Sequence, residues 1–190
     1  MSVLTTKREE TNFKIDPTQF TMWIFLVSVA MLFAAFTSGY IVRKAQGNWV
    51  NFELPAVFAY SCAVVLLSSG TMTIAQFAYK KVNKVMMQMA LLLSLFVGGL
   101  FVYLQLEGWS QLMDQGIYLV GNPSGSFLYV ISGVHALHFT IGLLVILVAL
   151  LKSFLLNGSE IKTQKINAVA IYWHFVGALW IYLYLFLTNA

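Results

Sequence analysis

The charges in this chain stand at the edges of long uncharged runs, and that spacing leaves few folds open. Between Asp16 and Arg43 lie 26 uncharged residues, between Glu53 and Lys80 another 26, and between Lys84 and Glu107 there are 22. From Asp114 to Lys152 the gap is 37, and after Lys165 the last 25 residues carry no charge. A helix needs roughly 20 apolar residues to cross a hydrocarbon core about 30 Å thick, so every run is long enough. The longest run also has to hold a loop, because Asn122-Pro123-Ser124-Gly125 is turn chemistry. Hydrophobic residues make up 59% of the chain and charged residues 9%, against roughly a quarter charged in a soluble domain.

These runs predict an all-α integral membrane protein with five transmembrane helices, over about 17–42, 54–79, 85–106, 126–151 and 166–188. They form one membrane domain, 17–190, behind a polar tail, 1–16. Barrel strands would need alternating polar and apolar residues, and Leu143-Leu144-Val145-Ile146-Leu147-Val148 does not alternate. Asp16 followed by Pro17 reads as a helix cap with proline at the first helical position, and Leu54-Pro55 opens the second helix in the same way. Little beyond Lys80, Lys81, Val82, Asn83 and Lys84 connects the second and third spans, which makes them antiparallel neighbours.

Basic residues predict the orientation. Lys7, Arg8, Lys14, Lys80, Lys81, Lys84, Lys152, Lys162 and Lys165 fall on one side of the membrane, and only Arg43 and Lys44 on the other. Nine against two places the N-terminus inside and the C-terminus outside. The tail carries Glu9 and Glu10, unlike a cleavable signal or a transit peptide, so the first helix is expected to remain as a span. Topology and lipid headgroups account for the basic balance, and no motif supports nucleic-acid binding. The single cysteine, Cys62, excludes disulfides and paired-thiolate metal sites. No phosphate-binding glycine loop of the P-loop type occurs. Asn157-Gly158-Ser159 matches a glycosylation sequon but falls on the inner side, where it is read as a chance match.

What remains is a short set of polar groups at membrane depth, where ionisable side chains are expensive and usually face the bundle interior. All three histidines of the chain, His135, His138 and His174, are among them. His135 and His138, three apart, share one helix face. At 1.5 Å per residue His138 lies ~21 Å from Lys152, His135 ~25 Å, and His174 ~13.5 Å from Lys165. The mismatch predicts two separate polar contacts, with neutral histidines bonded between helices and no metal among them. Glu107, at the outer end of the third span, reads as either a proton-relay group or a snorkelling interfacial residue. Ala35 and Gly39, Ser94 and Gly98, and Ser132 and Ala136 are small residues four apart that let helices approach. Ser68, Ser69, Thr71 and Thr73 give the second span a hydroxyl-rich stretch, and Trp109, Tyr118, Trp173, Trp180 and Tyr184 suit interfacial belts or buried contacts.

The run Ser132-Gly133-Val134-His135-Ala136-Leu137-His138-Phe139-Thr140-Ile141-Gly142 closely resembles the glycine, histidine, histidine, glycine helix of subunit III of haem-copper respiratory oxidases. Tyr172-Trp173-His174-Phe175-Val176, continuing to Trp180-Ile181-Tyr182-Leu183-Tyr184, resembles the closing helix of the same family. Leu104-Gln105-Leu106-Glu107 is similar to the end of its glutamate-bearing helix, Leu66-Leu67-Ser68-Ser69-Gly70-Thr71 to its serine-rich one, and Trp23-Ile24-Phe25-Leu26-Val27-Ser28 to the helix that opens its shorter members. Two departures stand out. Val29 occupies the place of a membrane-embedded glutamate, and Gly177 that of an aspartate, so roles tied to those carboxylates do not carry over.

The resemblance implies the short, five-helix form of an accessory subunit without a redox centre, braced against oxidase subunit I and supporting proton uptake on the inner side. Haem and copper would sit in the partner subunits, electrons would come to the complex from cytochrome c or quinol, and the setting would be the cell inner (plasma) membrane. Other oxidase subunits and lipid would cover the apolar flank left by the missing leading helices. Glu107, His135, His138, Trp173 and His174 are then expected as interhelical polar contacts, and Gly133, Gly142, Ser68 and Ser69 as close-packing positions. Neither catalytic nor metal-ligating residues are expected. Two alternatives stay open: a small polytopic transporter, which internal repeats and broken helices would mark, and a membrane metalloprotein built on the histidines.

Overall fold

The structure, a computed structural model, describes residues 17–155 and 163–189. The polar tail with Lys7, Arg8 and Lys14, the Asp16 cap, the sequon Asn157-Gly158-Ser159 and Lys162 lie outside the described residues. Five helices follow in order: α1 Pro17–Ala45, α2 Val57–Lys80, α3 Lys84–Asp114, α4 Pro123–Leu155 and α5 Thr163–Asn189. All five are long and apolar enough to cross a membrane, with α4 the most apolar at a mean hydropathy of 2.4.

The helices overrun the uncharged runs at six of their ten ends, for local reasons. α3 continues past Glu107 to Asp114, and the Glu107 carboxylate accepts a bond from Gln111 one turn on, 3.0 Å away. A charge marks where water begins, and a helix can continue into it once its polar side chains pair along one face. The stretch Asn122-Pro123-Ser124-Gly125, read as a loop, opens α4 instead. The Asn122 side chain accepts the Ser124 amide at 2.9 Å, and its carbonyl takes the Ser126 amide, so Asn122 is the cap and Pro123 the first helical residue. Regular helix in α2 begins at Val57, two residues after Pro55, whose carbonyl accepts Phe58 N–H.

α2 and α3 end in the same backbone motif made from different residues. Gly116, at φ +78°, follows α3, and the amides of Gly116 and Ile117 fold back on the carbonyls of Met113 and Leu112. After α2 the amides of Val82 and Asn83 fold back on Tyr79 and Ala78 in the same way, and Val82 takes the left-handed φ of +56°. Glycine adopts that conformation freely, whereas a β-branched residue is strained in it. Asn83 then caps α3 by accepting the Met86 amide at 3.0 Å.

Contacts between helices set the architecture. α2 packs on α3 and α5, and α4 packs on α3 and α5, closing a four-helix ring. α1 touches only α4 and α5 and rides in the groove between them. Contacts Phe25–Tyr172, Tyr40–Phe186 and Thr37–Tyr182 advance together along both chains, so α1 and α5 run parallel. Trp109–Ser132 and Phe101–Phe139 advance in opposite senses, so α3 and α4 are antiparallel.

The outer face of the bundle is apolar, and its largely apolar interior also holds small polar side chains. Ser61, Ser68, Ser94, Gln105, Ser132, His135 and Ser153 are buried, while Met31, Leu67, Met89, Phe96 and Leu137 face outward. Lipid tails are as apolar as leucine, so burial of leucine between helices gains little. Small residues and interhelical hydrogen bonds carry the association. A Cβ on Gly98 would stand 2.6 Å from Leu143 and 3.0 Å from Trp173, and one on Gly108 2.8 Å from the Phe58 ring. Across the ring, Trp173 and Trp180 reach over the space between α5 and α3 to meet Gly98 and Phe101.

Candidate functional site

The interior polar groups form a seam along α5. Trp173 Nε1 donates to Ser68 Oγ at 3.0 Å, and Trp180 Nε1 donates to Ser61 Oγ at 2.8 Å. Both serines lie on α2 seven residues apart and both tryptophans on α5 seven apart, so these are two rungs of one ladder between antiparallel helices. Ser61 is the busier rung: its hydroxyl also receives Gln105 Nε2 from α3 at 3.3 Å and donates to the Phe58 carbonyl at 2.7 Å. One small side chain therefore ties three helices. Trp109 Nε1 on α3 repeats the device with Ser132 on α4 at 3.0 Å, and the Thr71 and Ser94 hydroxyls pair across α2 and α3 at 2.7 Å.

The three histidines take three different environments. His174, half-buried on α5, pairs through Nδ1 with the Ser69 hydroxyl of α2. His138 turns its Nδ1 back to the Val134 carbonyl of its own helix at 2.8 Å, and its backbone carbonyl accepts the Tyr172 hydroxyl from α5 at 2.7 Å. His135 is fully buried, and neither ring nitrogen has a hydrogen-bond partner. Its ring stacks on Trp180 at 4.9 Å and meets the edges of Phe33 and Phe101 at 6.1 and 5.9 Å. An aromatic box thus holds an imidazole by its faces and edges.

Several expectations need correction here. The Glu107 carboxylate bonds within α3, to Gln111 one turn away on the same face, and among the described residues no hydrogen bond joins it to another helix. The His138 ring bonds to the carbonyl one turn back in α4, and the interhelical polar contact at this residue is made by its backbone carbonyl with the Tyr172 hydroxyl. His135 makes interhelical ring contacts with Phe33, Phe101 and Trp180, and neither ring nitrogen has a hydrogen-bond partner. A Cβ on Gly133 would meet nothing within 4 Å, so that glycine is not a close-packing position. Gly142 is one: a Cβ there would stand 3.0 Å from Tyr172 and 3.1 Å from Trp173. Trp173 and His174 do bond across helices, to Ser68 and Ser69. Gly177 is packed so that a Cβ would stand 2.9 Å from Val65, and Val29 is buried.

Sequence reasoning missed Ser61 and Gln105 and placed Trp180 only loosely. The paired seven-residue spacings, Ser61 with Ser68 and Trp173 with Trp180, were the available signal. Among the described residues no group of three or more histidine, cysteine, aspartate or glutamate side chains is placed to hold a metal ion. His135 and His138 flank Phe33, whereas His174 turns to α2. Chemically the arrangement is a set of neutral donors and acceptors that fixes helix register around an aromatic interior.

The sequence pattern of the family described as cytochrome c oxidase subunit III matches residues 4–189. The chain belongs to this family. Its relatives include oxidases of both donor types. The "Cytochrome bo(3) ubiquinol oxidase subunit 3" of Buchnera aphidicola is 29% identical over 88% of this chain and 90% of its own length. The "Probable quinol oxidase subunit 3" of Staphylococcus saprophyticus is 24% identical over 85% of this chain and 83% of its own. The "Cytochrome c oxidase subunit 3" of Bacillus sp. strain PS3 is 25% identical over 85% and 80%. In subunit III terms, the seam of tryptophans and serines supports the body of the subunit, and the glycine, histidine, histidine, glycine helix is α4, whose first histidine occupies the aromatic box.

Proposed function

We propose that the chain is the accessory, non-redox subunit III of a haem-copper terminal oxidase in the bacterial plasma membrane, and that it braces the catalytic subunit and supports proton uptake. The observation that carries this reading is the family match along residues 4–189 on a chain whose interior is filled by Trp173, Trp180, Phe101, Phe139 and His135. A filled interior suits a brace and leaves the oxygen chemistry to partner subunits, where haem and copper belong. The nine-to-two basic asymmetry orients the α2–α3 loop to the inside. Subunit I is the direct partner, with other oxidase subunits and lipid around the exposed flank of α1. That flank is broad: only 22% of the apolar window of α1 is buried, against 39% for α5.

Affinity purification of the tagged chain in mild detergent tests this. The eluate is expected to carry the visible spectrum of haem with stoichiometric copper and to reduce oxygen with a quinol or cytochrome c. A chain that purifies alone from aerobically grown cells, with the oxidase recovered intact in the unbound fraction, would refute it.

A further inference from the structure

Two side chains in the interior carry polar atoms that no neighbour satisfies. Gln105 on α3 and His135 on α4 are both fully buried, and Gln105 Oε1 and both ring nitrogens of His135 have no hydrogen-bond partner. The two residues stand at one height. Trp109–Ser132 and Phe101–Phe139 are facing pairs of the antiparallel α3 and α4. Gln105 is four residues from each member on α3, and His135 is three and four residues from those on α4. Both also border Trp180, whose indole stacks on the imidazole at 4.9 Å and whose Nε1 shares Ser61 Oγ with Gln105 Nε2. Phe101, one turn from Gln105, meets the His135 ring at 5.9 Å.

The bonds already made fix what each group still needs. Ser61 gives its one proton to the Phe58 carbonyl, so its oxygen only accepts, and the end of the amide that Gln105 turns to it is the N–H end. Gln105 Oε1 is therefore the free end of that amide, and it needs a donor. A neutral imidazole carries one N–H donor and one bare nitrogen acceptor. Each residue has what the other lacks, yet they do not bond to one another. Two hydrogen bonds in series reach about 5.5 Å, which is the span that one bridging water adds. Ser132 Oγ, one turn from His135, accepts Trp109 Nε1 and donates to the Leu128 carbonyl, which leaves it one lone pair. Polar groups left unpaired in a dry interior are costly, and a bridging water relieves that cost.

We propose that one water molecule is bound between Gln105 and His135, accepting from the imidazole N–H and donating to Gln105 Oε1, with its second hydrogen directed to Ser132 Oγ. About three polar partners is the usual coordination of a buried water. The rings around the imidazole, Phe33, Phe101, Phe139 and Trp180, carry no charge. A lone histidine among them makes no metal site. The occupant is therefore a neutral molecule that both donates and accepts. Bound there, the water sets which nitrogen of His135 holds the proton and joins α3 to α4 between the Trp109–Ser132 and Phe101–Phe139 contacts.

A density map of the purified oxidase, at a resolution that shows ordered water inside its helix bundles, tests the site. One isolated peak should lie about 2.7–3.2 Å from both Gln105 Oε1 and one ring nitrogen of His135. Gln105→Met keeps the volume of the side chain and removes the acceptor. The map of that variant should lose the peak while the His135 ring stays stacked on Trp180. Magnetic resonance of the full chain with isotope-labelled histidine, its His135 signal assigned by His135→Phe, gives a second readout. Magnetisation should pass from a bound water to the His135 N–H in the unaltered chain, and that transfer should vanish in Gln105→Met. A ring nitrogen bonded directly to Gln105 Oε1, no peak between the two residues in a map that shows other interior waters, or a peak and a transfer unchanged in Gln105→Met would overturn the proposal.

Discussion

At the scale of single residues, hydrogen bonds and strain sit in definite places. Ser61 accepts from both Trp180 and Gln105, so Ser61→Ala removes one acceptor shared by two buried donors. Orphaned donors cost about 1–3 kcal/mol, whereas an average interhelical bond in a membrane protein is worth about 0.6 kcal/mol. Ser61→Ala should therefore destabilise the folded chain by about 1–3 kcal/mol in reversible detergent unfolding, and Thr73→Ala, which removes only a bond to the carbonyl one turn back, by less than about 0.5 kcal/mol. Equal effects would mean that Ser61 is not the shared acceptor. Val82 carries the opposite sign. Its left-handed backbone is costly for a branched side chain and natural for glycine, and the side chain is exposed, so little packing is lost with it. Val82→Gly should raise stability by about 1 kcal/mol in the same assay, and a loss would show that the valine side chain supports the loop.

At the scale of helices, packing turns on a few close approaches. Gly98 faces Trp173 across the bundle, and the added methyl of Gly98→Ala has no room unless Leu143 and the indole both shift. Overpacking of this kind costs about 1–3 kcal/mol, whereas Gly133→Ala meets open space and should be neutral or slightly stabilising. A melt of both variants in detergent would separate a tight α3–α5 crossing from a loose one. The existence and order of all five helices were legible in the sequence, because charge is excluded from the hydrocarbon core. Their ends were not, because Glu107 and Gln111 satisfy each other along α3 and let it run on to Asp114. The histidines were legible as interior groups but not in their partners. Helix arithmetic gives depth, while the direction of a side chain depends on which neighbour fills the space, and for His135 that neighbour is Trp180. The ladder of tryptophans on serines was visible as two matched seven-residue spacings and becomes specific only when α2 and α5 are placed antiparallel.

At the scale of the whole molecule, topology and assembly make the claims that reach beyond the chain. With the basic α2–α3 loop inside, a cysteine at position 82 should resist an impermeant reagent in intact cells, and one at position 118, exposed in the α3–α4 connection, should react. The reverse pattern would invert the orientation and place Glu107 on the inner side. The central claim is that this subunit sustains an oxidase whose redox chemistry lies elsewhere. Slow proton delivery would leave reactive oxygen intermediates waiting at the partner's centre, so damage should accumulate with each turnover when the brace is missing. The most direct measurement is oxygen consumption by the complex purified without this chain, followed through sustained turnover beside its haem spectrum. The account predicts an unchanged haem spectrum, a substantial initial rate and a decay several-fold faster than in the intact complex. Loss of the haem spectrum and of all initial activity, at full occupancy of subunit I, would contradict it.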